Sequence, residues 1–371
     1  MKFGDMPFRA ALAAESIPKL HAFRNLGLAT TAWACAQWKF MHGPLLNALA
    51  AEAIAHMTSF QPQNICNLAR AYATLLFLHK PLLDSISAAA IQMLNDSPHD
   101  FGPQNITNTA WAFAKLQRLT NTGPLLEAIA EAAIRSIEYF QQEDLTFTAW
   151  SMAVLHFRHC PGLDAIAAQA RKLRAFQPSY LSNFAWSLAL IKYQNPPLMD
   201  ALSSQSLRKI AECTPQSLSK SAWAVAPCIF VNGPLMNALA AQAINTIHDF
   251  NTQSLTTMAW SCAKLIYVHG PLRAALSASS LRTLLEYQPQ GLANLAWSMS
   301  VILYFDETLL EAIAAASIRS LSAMIPQELA NTAWAFAFLE FLHRPLLASI
   351  SAEALRHLGC EYRVLSQIAW A

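Results

Sequence analysis

The stretch Pro326-Gln-Glu-Leu-Ala-Asn-Thr-Ala-Trp-Ala-Phe-Ala337 carries a pattern that recurs along the whole chain. We call the position of Trp334 in this pattern the tryptophan slot. The same slot falls at Trp33, Arg70, Trp111, Trp150, Trp186, Trp223, Trp260, Trp297 and Trp370, at intervals of 36 to 41 residues. A fixed period in the range of about 20–50 residues is typical of proteins built by stacking one structural unit.

Each unit reads as two helices, called A and B. The A helices begin at a recurring Pro-Gln pair and the B helices at a second proline, such as Pro345. Proline suits the first helical turn, where its missing N–H would have no intrahelical partner. The short loops between A and B predict antiparallel neighbours. The sequence therefore predicts an all-α fold, a right-handed αα-superhelix (α-solenoid) of about ten 37-residue helical hairpins.

The expected domain organisation is a single helical-repeat solenoid over residues 1–371. The chain is expected to start in a B helix and to stop within an A helix, one residue after Trp370, as a piece of a longer protein. Extra residues interrupt the period in one region and predict an irregular joint at 95–123. Pro227 lies inside an A helix, where we expect a kink.

Composition excludes several classes of protein. Hydrophobic residues make up 54% of the chain, but no run reaches the roughly 18 apolar residues of a membrane span, so no membrane partner is expected. A net charge of +2 neither indicates nor excludes nucleic acid. Seven cysteines without a CxxC pair predict reduced residues, six of them in the core and Cys160 in a loop, and an intracellular location. With 10 glycines and no catalytic motif, the sequence predicts no enzyme, cofactor or small-molecule substrate.

The loop between the two helices carries a polar residue that we assign to a turn or cap. Its members are His42, His79, His159, Asn195, Asn232, His269, Asp306 and His343. A shared metal ion is not expected, because equivalent residues of neighbouring units are separated by about 8–10 Å, far more than the roughly 2 Å of a metal–ligand bond.

Helical periodicity separates two stripes on each A helix. Counted from the tryptophan slot, positions −5, −1, +2 and +3 are apolar and predict the core. Positions −7, −3 and +4 lie within about 40° of each other at 100° per residue, and we call them the amide stripe. Its candidate binding residues are Thr30, Gln63, Asn67, Gln104, Asn108, Lys115, Asn183, Gln216, Lys220, Gln253, Thr257, Lys264, Gln290, Asn294, Gln327, Asn331 and Arg363.

The repeated asparagine at position −3 has two interpretations, which the sequence leaves open. Asparagine is a mediocre residue inside a helix and needs a reason to recur there. One reason is binding of an extended polymer, since amides hydrogen-bond base edges. The other is a structural ladder to the next unit. Glutamine at −7 also has a plain alternative, satisfying a free N–H of the first turn. The tryptophans are interpreted as core residues that lock adjacent hairpins, not as a stacking surface.

The phrases at 326–337 and at 103–116, Pro-Gln-Asn-Ile-Thr-Asn-Thr-Ala-Trp-Ala-Phe-Ala-Lys-Leu, resemble the octotricopeptide repeat. The resemblance extends from Pro7 to Ala371. It implies an α-solenoid that binds organellar RNA, in the chloroplast or the mitochondrion, and acts in RNA processing, splicing, stability or translation. Longer members of that family often carry a RAP domain, for which this sequence shows no matching segment.

Together these observations predict single-stranded RNA along the A helices, at about one nucleotide per unit. Lys115, Lys220, Lys264 and Arg363 would contact phosphates, and the modest positive charge predicts a shallow salt dependence. The first alternative is a scaffold that binds an extended peptide or other protein partners. The second is a spacer in a larger enzyme.

Overall fold

The computed structural model describes residues 6–97, 100–116, 122–173, 176–226 and 233–356. In these residues the chain is helical and contains no β-strand. The A helices are α2 (Asn25–Gln37), α4 (Pro62–Thr74), α6 (Pro103–Leu116), α8 (Gln142–Val154), α10 (Pro178–Leu190), α12 (Pro215–Val225), α14 (Thr252–Lys264), α16 (Pro289–Val301) and α18 (Pro326–Phe338).

The B helices alternate with the A helices along the chain. They are α1 (Met6–Ser16), α3 (Gly43–Ala55), α5 (Lys80–Asp96), α7 (Gly123–Ser136), α9 (Cys160–Lys172), α11 (Pro196–Arg208), α13 (Gly233–Asn245), α15 (Gly270–Arg282), α17 (Glu307–Ser320) and α19 (Arg344–Arg356). Most are followed by one 3₁₀ turn before the next A helix: Ile17–Ala22, Met57–Ser59, Ile137–Tyr139, Ile210–Glu212, Ile247–Asp249, Leu284–Glu286 and Leu321–Ala323.

The helices form two compact units, Met1–Ala175 and Phe176–Ala371. In the first, α2, α4, α6 and α8 pack side by side, and α3, α5, α7 and α9 form the second layer. In the second, α10 to α18 pack in the same way as A helices, and α11 to α19 as B helices. Each A helix also packs on the B helix that follows it. The predicted all-α stack of helical hairpins is confirmed within each unit.

Continuity of a single solenoid over 1–371 and its right-handed sense remain predictions. The predicted joint at 95–123 is described only in part: α5 runs to Asp96, four residues longer than α3, and so absorbs the extra sequence. The expected kink at Pro227 lies outside the described residues, since α12 ends at Val225. No helix in the described ranges is long and apolar enough to cross a bilayer.

The core consists of the positions that the periodicity predicts. The −5 residues Leu218, Leu255 and Leu292 are at most 1% exposed, and the +2 residues Cys262 and Met299 at most 2%. Neighbouring A helices approach closely because the residues between them are small. Those buried small residues include Cys66, Thr107, Thr146, Ser182, Ser219, Thr256, Ser151, Ser187, Ser261 and Ser298.

Of the described cysteines expected in the core, all are buried except Cys213, which is half-buried. Cys35, Cys66 and Cys262 are buried as free thiols. Removal from water disfavours the thiolate, and burial raises the pKa of both Cys66 and Cys262 to about 12. Cys160 is an exposed residue at the start of α9. These positions are consistent with packing residues and not with a reactive pair.

Seven of the B helices, α3, α5, α9, α11, α15, α17 and α19, are capped by the loop residue assigned above to this role. The Nδ1 atoms of His42, His79 and His269 each accept the N–H three residues on, at 3.2 Å. The same bond is made by His159 and His343 at 3.0 and 3.1 Å, and by the side-chain oxygens of Asn195 and Asp306 at 3.1 Å. The cap role is confirmed for these residues; Asn232 lies outside the described part of the chain.

The turn from A to B has a backbone feature that the sequence did not reveal. The residue six positions after the tryptophan slot has a left-handed backbone, with φ of 50–55° at Lys39, Leu76, His156, Lys192, Ile266, Leu303 and Glu340. The next residue donates its N–H back to the A helix, as Tyr304 does to the Met299 carbonyl at 2.9 Å. This is the Schellman ending of a helix, which usually has glycine at the left-handed position. None of these seven residues is glycine.

Candidate functional site

The amide stripe lies on the accessible side of the A helices. Its exposed members are Thr30, Gln63, Gln104, Lys115, Gln216, Gln253, Lys264, Gln290 and Gln327. Its half-buried members are Asn67, Asn183, Lys220, Thr257, Asn294 and Asn331, whereas Asn108 is buried. Arg363 lies outside the described residues. The stripe therefore presents amides, hydroxyls and a few cations to ligands within each unit.

The described tryptophans of the slot lie on this same surface and are not fully buried, so their interpretation as core residues holds only in part: Trp297 and Trp334 still pack against the core of the second unit. Trp33 is 46% exposed, and Trp111, Trp150, Trp186, Trp223, Trp260, Trp297 and Trp334 are half-buried. In the second unit the rings follow one another, with centroids 5.7 Å apart for Trp186 and Trp223 and 6.0 Å apart for Trp223 and Trp260. We call the amide stripe together with the tryptophan slot the A face.

The close approach of the A helices explains why the indole rings lie on the A face. Slots −4 and +1, which separate adjacent helices, are filled by small side chains such as Ser219 and Ser261. No room for an indole remains between such helices. The rings therefore lie over the seam and keep part of their surface accessible, and those of Trp186, Trp223 and Trp260 contact each other in sequence. An offset aromatic contact of this kind contributes about 0.5–1.5 kcal/mol beyond the area that it buries.

The stripe asparagines accept hydrogen bonds from several kinds of donor. Between neighbouring A helices, Lys220 Nζ donates to Asn183 Oδ1 at 2.7 Å and Arg70 Nη1 donates to Asn108 Oδ1 at 2.6 Å. Within one helix, Gln63 donates to Asn67 at 3.1 Å, and Gln327 donates to Asn331 at 2.9 Å. The glutamines at −7 in these two units thus bond a stripe asparagine. These four asparagines therefore make structural hydrogen bonds, in which a cation or a glutamine is the donor.

Two clefts of the second unit are lined by predicted binding residues. The cleft between α12 and α14, of about 180 Å³, is lined by Gln216, Lys220, Gln253 and Thr257, together with the rings of Trp186 and Trp223 and by Ser219, Asn251 and Ser254. The cleft between α14 and α16, of about 550 Å³, is lined by Gln253, Thr257, Gln290 and Asn294, together with Asn251, Thr252, Thr256, Glu286, Tyr287, Gln288 and Gly291. The structure thus brings the stripe residues of consecutive units together.

Positive charge on the A face is held close to aromatic rings and amides. Lys220 is half-buried in the smaller cleft, and this burial lowers its pKa below the ordinary 10.5. In the compact unit Met1–Ala175, Arg70 on α4 takes the place of tryptophan, and its guanidinium lies 5.6 Å from the Trp111 ring centroid. A guanidinium over an indole continues the stack by a cation–π contact. The A face therefore combines hydrogen-bonding groups, accessible aromatic edges and isolated cations.

Sequence reasoning missed the tryptophans and Arg70 as parts of this surface. The signal was available, because seven residues at 100° each return to within about 20° of the starting direction. The tryptophan slot therefore points with the glutamine at −7, away from the −5 and +2 core positions. Tyr287, a residue of the buried core, also lines the larger cleft, and no signal in the sequence indicated that second position.

Comparison with known families gives one match. Residues 168–305 match the family described as RNA-editing substrate-binding complex 6 protein, over a segment that includes α10 to α16. The match covers less than half of the chain and does not identify the octotricopeptide repeat specifically. No curated protein shows a significant match to the sequence.

Proposed function

We propose that the protein binds single-stranded RNA along the A face. The observation that carries the proposal is the cleft between α12 and α14, where Gln216, Lys220, Gln253 and Thr257 meet the rings of Trp186 and Trp223. Unpaired bases are recognised by stacking on aromatic groups and by hydrogen bonds to their exposed edges. One lysine in the cleft supplies a contact for the phosphate backbone.

The family match supports RNA as the ligand and proteins as further partners. The description of that family speaks of an RNA-editing substrate and of a complex. We infer a binding role in RNA processing, stability or translation, without catalysis by this chain. The resemblance to organellar repeat proteins supports an organellar setting, in the chloroplast or the mitochondrion.

Fluorescence anisotropy with the full chain and a pool of random-sequence single-stranded RNA tests the proposal. We expect enrichment of particular sequences at moderate salt. Trp223→Ala should weaken binding roughly tenfold, since stacking of one base contributes about 1–3 kcal/mol. Lys220→Gln should weaken binding of all sequences and reduce the slope of affinity against salt by about one charge.

Arg208→Gln is the matched control, because Arg208 is an exposed cation in the last turn of the B helix α11. It should bind RNA as the wild type does. Thermal melts by circular dichroism show whether each variant is folded. Equal losses for Arg208→Gln and Lys220→Gln would mean that the affinity is unspecific attraction by any cation. Absence of sequence enrichment in the wild type would overturn the proposal.

A further inference from the structure

A second exposed surface lies at the turns between A and B helices of the second unit. Five large apolar side chains point to solvent there: Ile266, Val268, Leu303, Phe305 and Leu342, with exposed fractions of 73%, 57%, 69%, 56% and 68%. They belong to the three consecutive hairpins α14–α15, α16–α17 and α18–α19. We call these five residues the turn edge.

The fold does not require apolar side chains at these positions. Ile266 and Leu303 have φ of 51° and 53°, a left-handed backbone that costs roughly 1–2 kcal/mol for a residue with a Cβ. The same turn is formed with Lys192 and Glu340, at φ of 54° and 55°. A polar residue is therefore compatible with the turn, and a branched apolar residue there has another reason.

The core of each turn is formed by the residue between the exposed ones. Tyr267, Tyr304 and Phe341 pack against the buried core of the second unit. Their neighbours at −1 and +1 consequently point outward. Phe305 also contacts the Phe341 ring of the next turn, with centroids 5.9 Å apart, which joins neighbouring turns into one patch. Exposed Glu307 and Arg344 stand next to the patch in the chain and carry both signs of charge, as in the polar rim of an interface.

The size and spacing of the patch indicate the kind of partner that fits. Five such side chains expose on the order of 500 Å², a size that marks interaction sites but falls short of the roughly 800 Å² per partner in a stable dimer. Successive hairpins are offset by about 8–10 Å. A helix with two apolar residues in every seven repeats them at about 10.5 Å. A strand repeats its side chains on one face at roughly 6.6–6.8 Å and fits less well.

We propose that the turn edge binds the apolar face of an amphipathic helix from a protein partner. The hairpins α14–α15 and α16–α17 each supply two apolar side chains and α18–α19 supplies Leu342, while each heptad of the partner helix supplies two. The turn edge shares no residue with the A face, so we expect RNA and this helix to bind independently.

Anisotropy of a fluorescein-labelled synthetic helix with leucine at two positions per heptad tests the proposal, with the full chain as the binding protein. The comparison peptide has the same composition in scrambled order. We expect the heptad peptide to bind the wild type and the scrambled peptide to bind at least tenfold more weakly. Phe305→Glu and Leu303→Glu should each weaken the heptad peptide at least tenfold. Leu285→Glu is the matched control, since Leu285 is 83% exposed but lies in a 3₁₀ turn outside the edge.

Three results would overturn the proposal. The first is equal binding of both peptides, and the second is an equal loss for Leu285→Glu and Phe305→Glu. The third is a wild-type dimer in sedimentation that becomes a monomer in Phe305→Glu, because a second copy would then occupy the edge. RNA affinity measured on the same samples keeps the two proposals apart: folded Phe305→Glu should bind RNA unchanged, and loss of both ligands would contradict a separate surface.

Discussion

Lys220 Nζ on α12 donates a hydrogen bond to Asn183 Oδ1 on α10, 2.7 Å away. The bond joins position −3 of two consecutive A helices, and it holds a half-buried ammonium on the A face. Both residues were predicted to bind RNA, and in the free protein they bind each other. The pair makes a structural contact and is also accessible to a ligand. The sequence had presented these two roles of the asparagine at position −3 as alternatives.

Replacing Asn183 by alanine should lower the free energy of unfolding by about 1–2 kcal/mol, because the buried side of the Lys220 ammonium loses its acceptor. Lys220→Met should lower the free energy of unfolding less, since the Asn183 amide that remains is neutral and reaches solvent. The double variant should lose less than the sum of the two single changes. Urea denaturation of the four proteins measures this coupling. Strict additivity would show that the contact contributes nothing to stability.

The lowered pKa of Lys220 predicts a pH dependence for RNA binding. Burial shifts the pKa below 10.5, so the charge is lost at a lower pH than for an ordinary lysine. As pH rises toward 10.5, the wild type should lose affinity before a Lys220→Arg variant, whose guanidinium stays charged. A 2′-O-methylated oligonucleotide, which resists alkaline hydrolysis, permits the anisotropy measurement. Parallel loss in both proteins would assign the effect to other groups.

The same shift has a defined sign for stability. Because the folded pKa lies below the unfolded one, the folded chain releases this proton first on raising the pH. The contribution of Lys220 to the free energy of unfolding therefore rises with pH between the two pKa values. Stability and RNA affinity should change in opposite directions over this window.

Arg70 is the single cation in the described tryptophan slots, and it makes two contacts at once. It donates to Asn108 Oδ1 at 2.6 Å and lies over the Trp111 ring. Arg70→Ala loses both contacts and should lower the free energy of unfolding by about 2 kcal/mol. Arg70→Trp places the usual tryptophan in this slot and should lower the free energy of unfolding by only about half as much. The new ring stacks on Trp111, although Asn108 loses its donor. Urea denaturation of both variants gives the comparison, and a larger loss for Arg70→Trp would contradict the shared stacking role.

The sequence was sufficient for the parts of the fold that depend on period and helix chemistry. The hairpins, the buried −5 and +2 positions and the caps at His42 and Asp306 all follow from spacing and from which side chains can accept an N–H. The tryptophans were misassigned because hydrophobicity was given more weight than angle. Indole is large and apolar, yet its position at Trp223 is set by the small residues beneath it.

The partners of the stripe residues could not be predicted from the sequence. Asn183 bonds a lysine of the next unit, whereas Asn331 bonds a glutamine of its own helix. Which donor reaches the asparagine depends on residues that differ from one helical hairpin to the next, and the shared repeat pattern does not contain these differences. The left-handed turns were missed for a related reason: the usual signal is glycine, and Ile266 or Leu303 gives no such signal.

The histidine caps allow a test of the loop assignment. His343 Nδ1 accepts the Leu346 N–H at 3.1 Å, and Asn195 makes the equivalent bond through Oδ1 in its own unit. His343→Asn should therefore keep the cap and leave stability nearly unchanged, while His343→Ala should cost about 1 kcal/mol. Thermal melts of the two variants measure the difference. Equal melting temperatures would show that the cap contributes nothing at α19.

The left-handed turns predict that one substitution to glycine is stabilising. Ile266 has φ of 51° and is 73% exposed, so its side chain gains little from packing while its Cβ crowds the backbone. Ile266→Gly should raise the free energy of unfolding by about 1 kcal/mol. Ile266→Ala is the control: it removes the apolar surface but keeps the Cβ, and it should change stability little. If Ile266→Gly and Ile266→Ala have the same free energy of unfolding in urea denaturation, the left-handed backbone of Ile266 does not destabilise the fold. If glycine stabilises while the heptad peptide binds more weakly, the isoleucine is kept at the turn edge for binding and against stability.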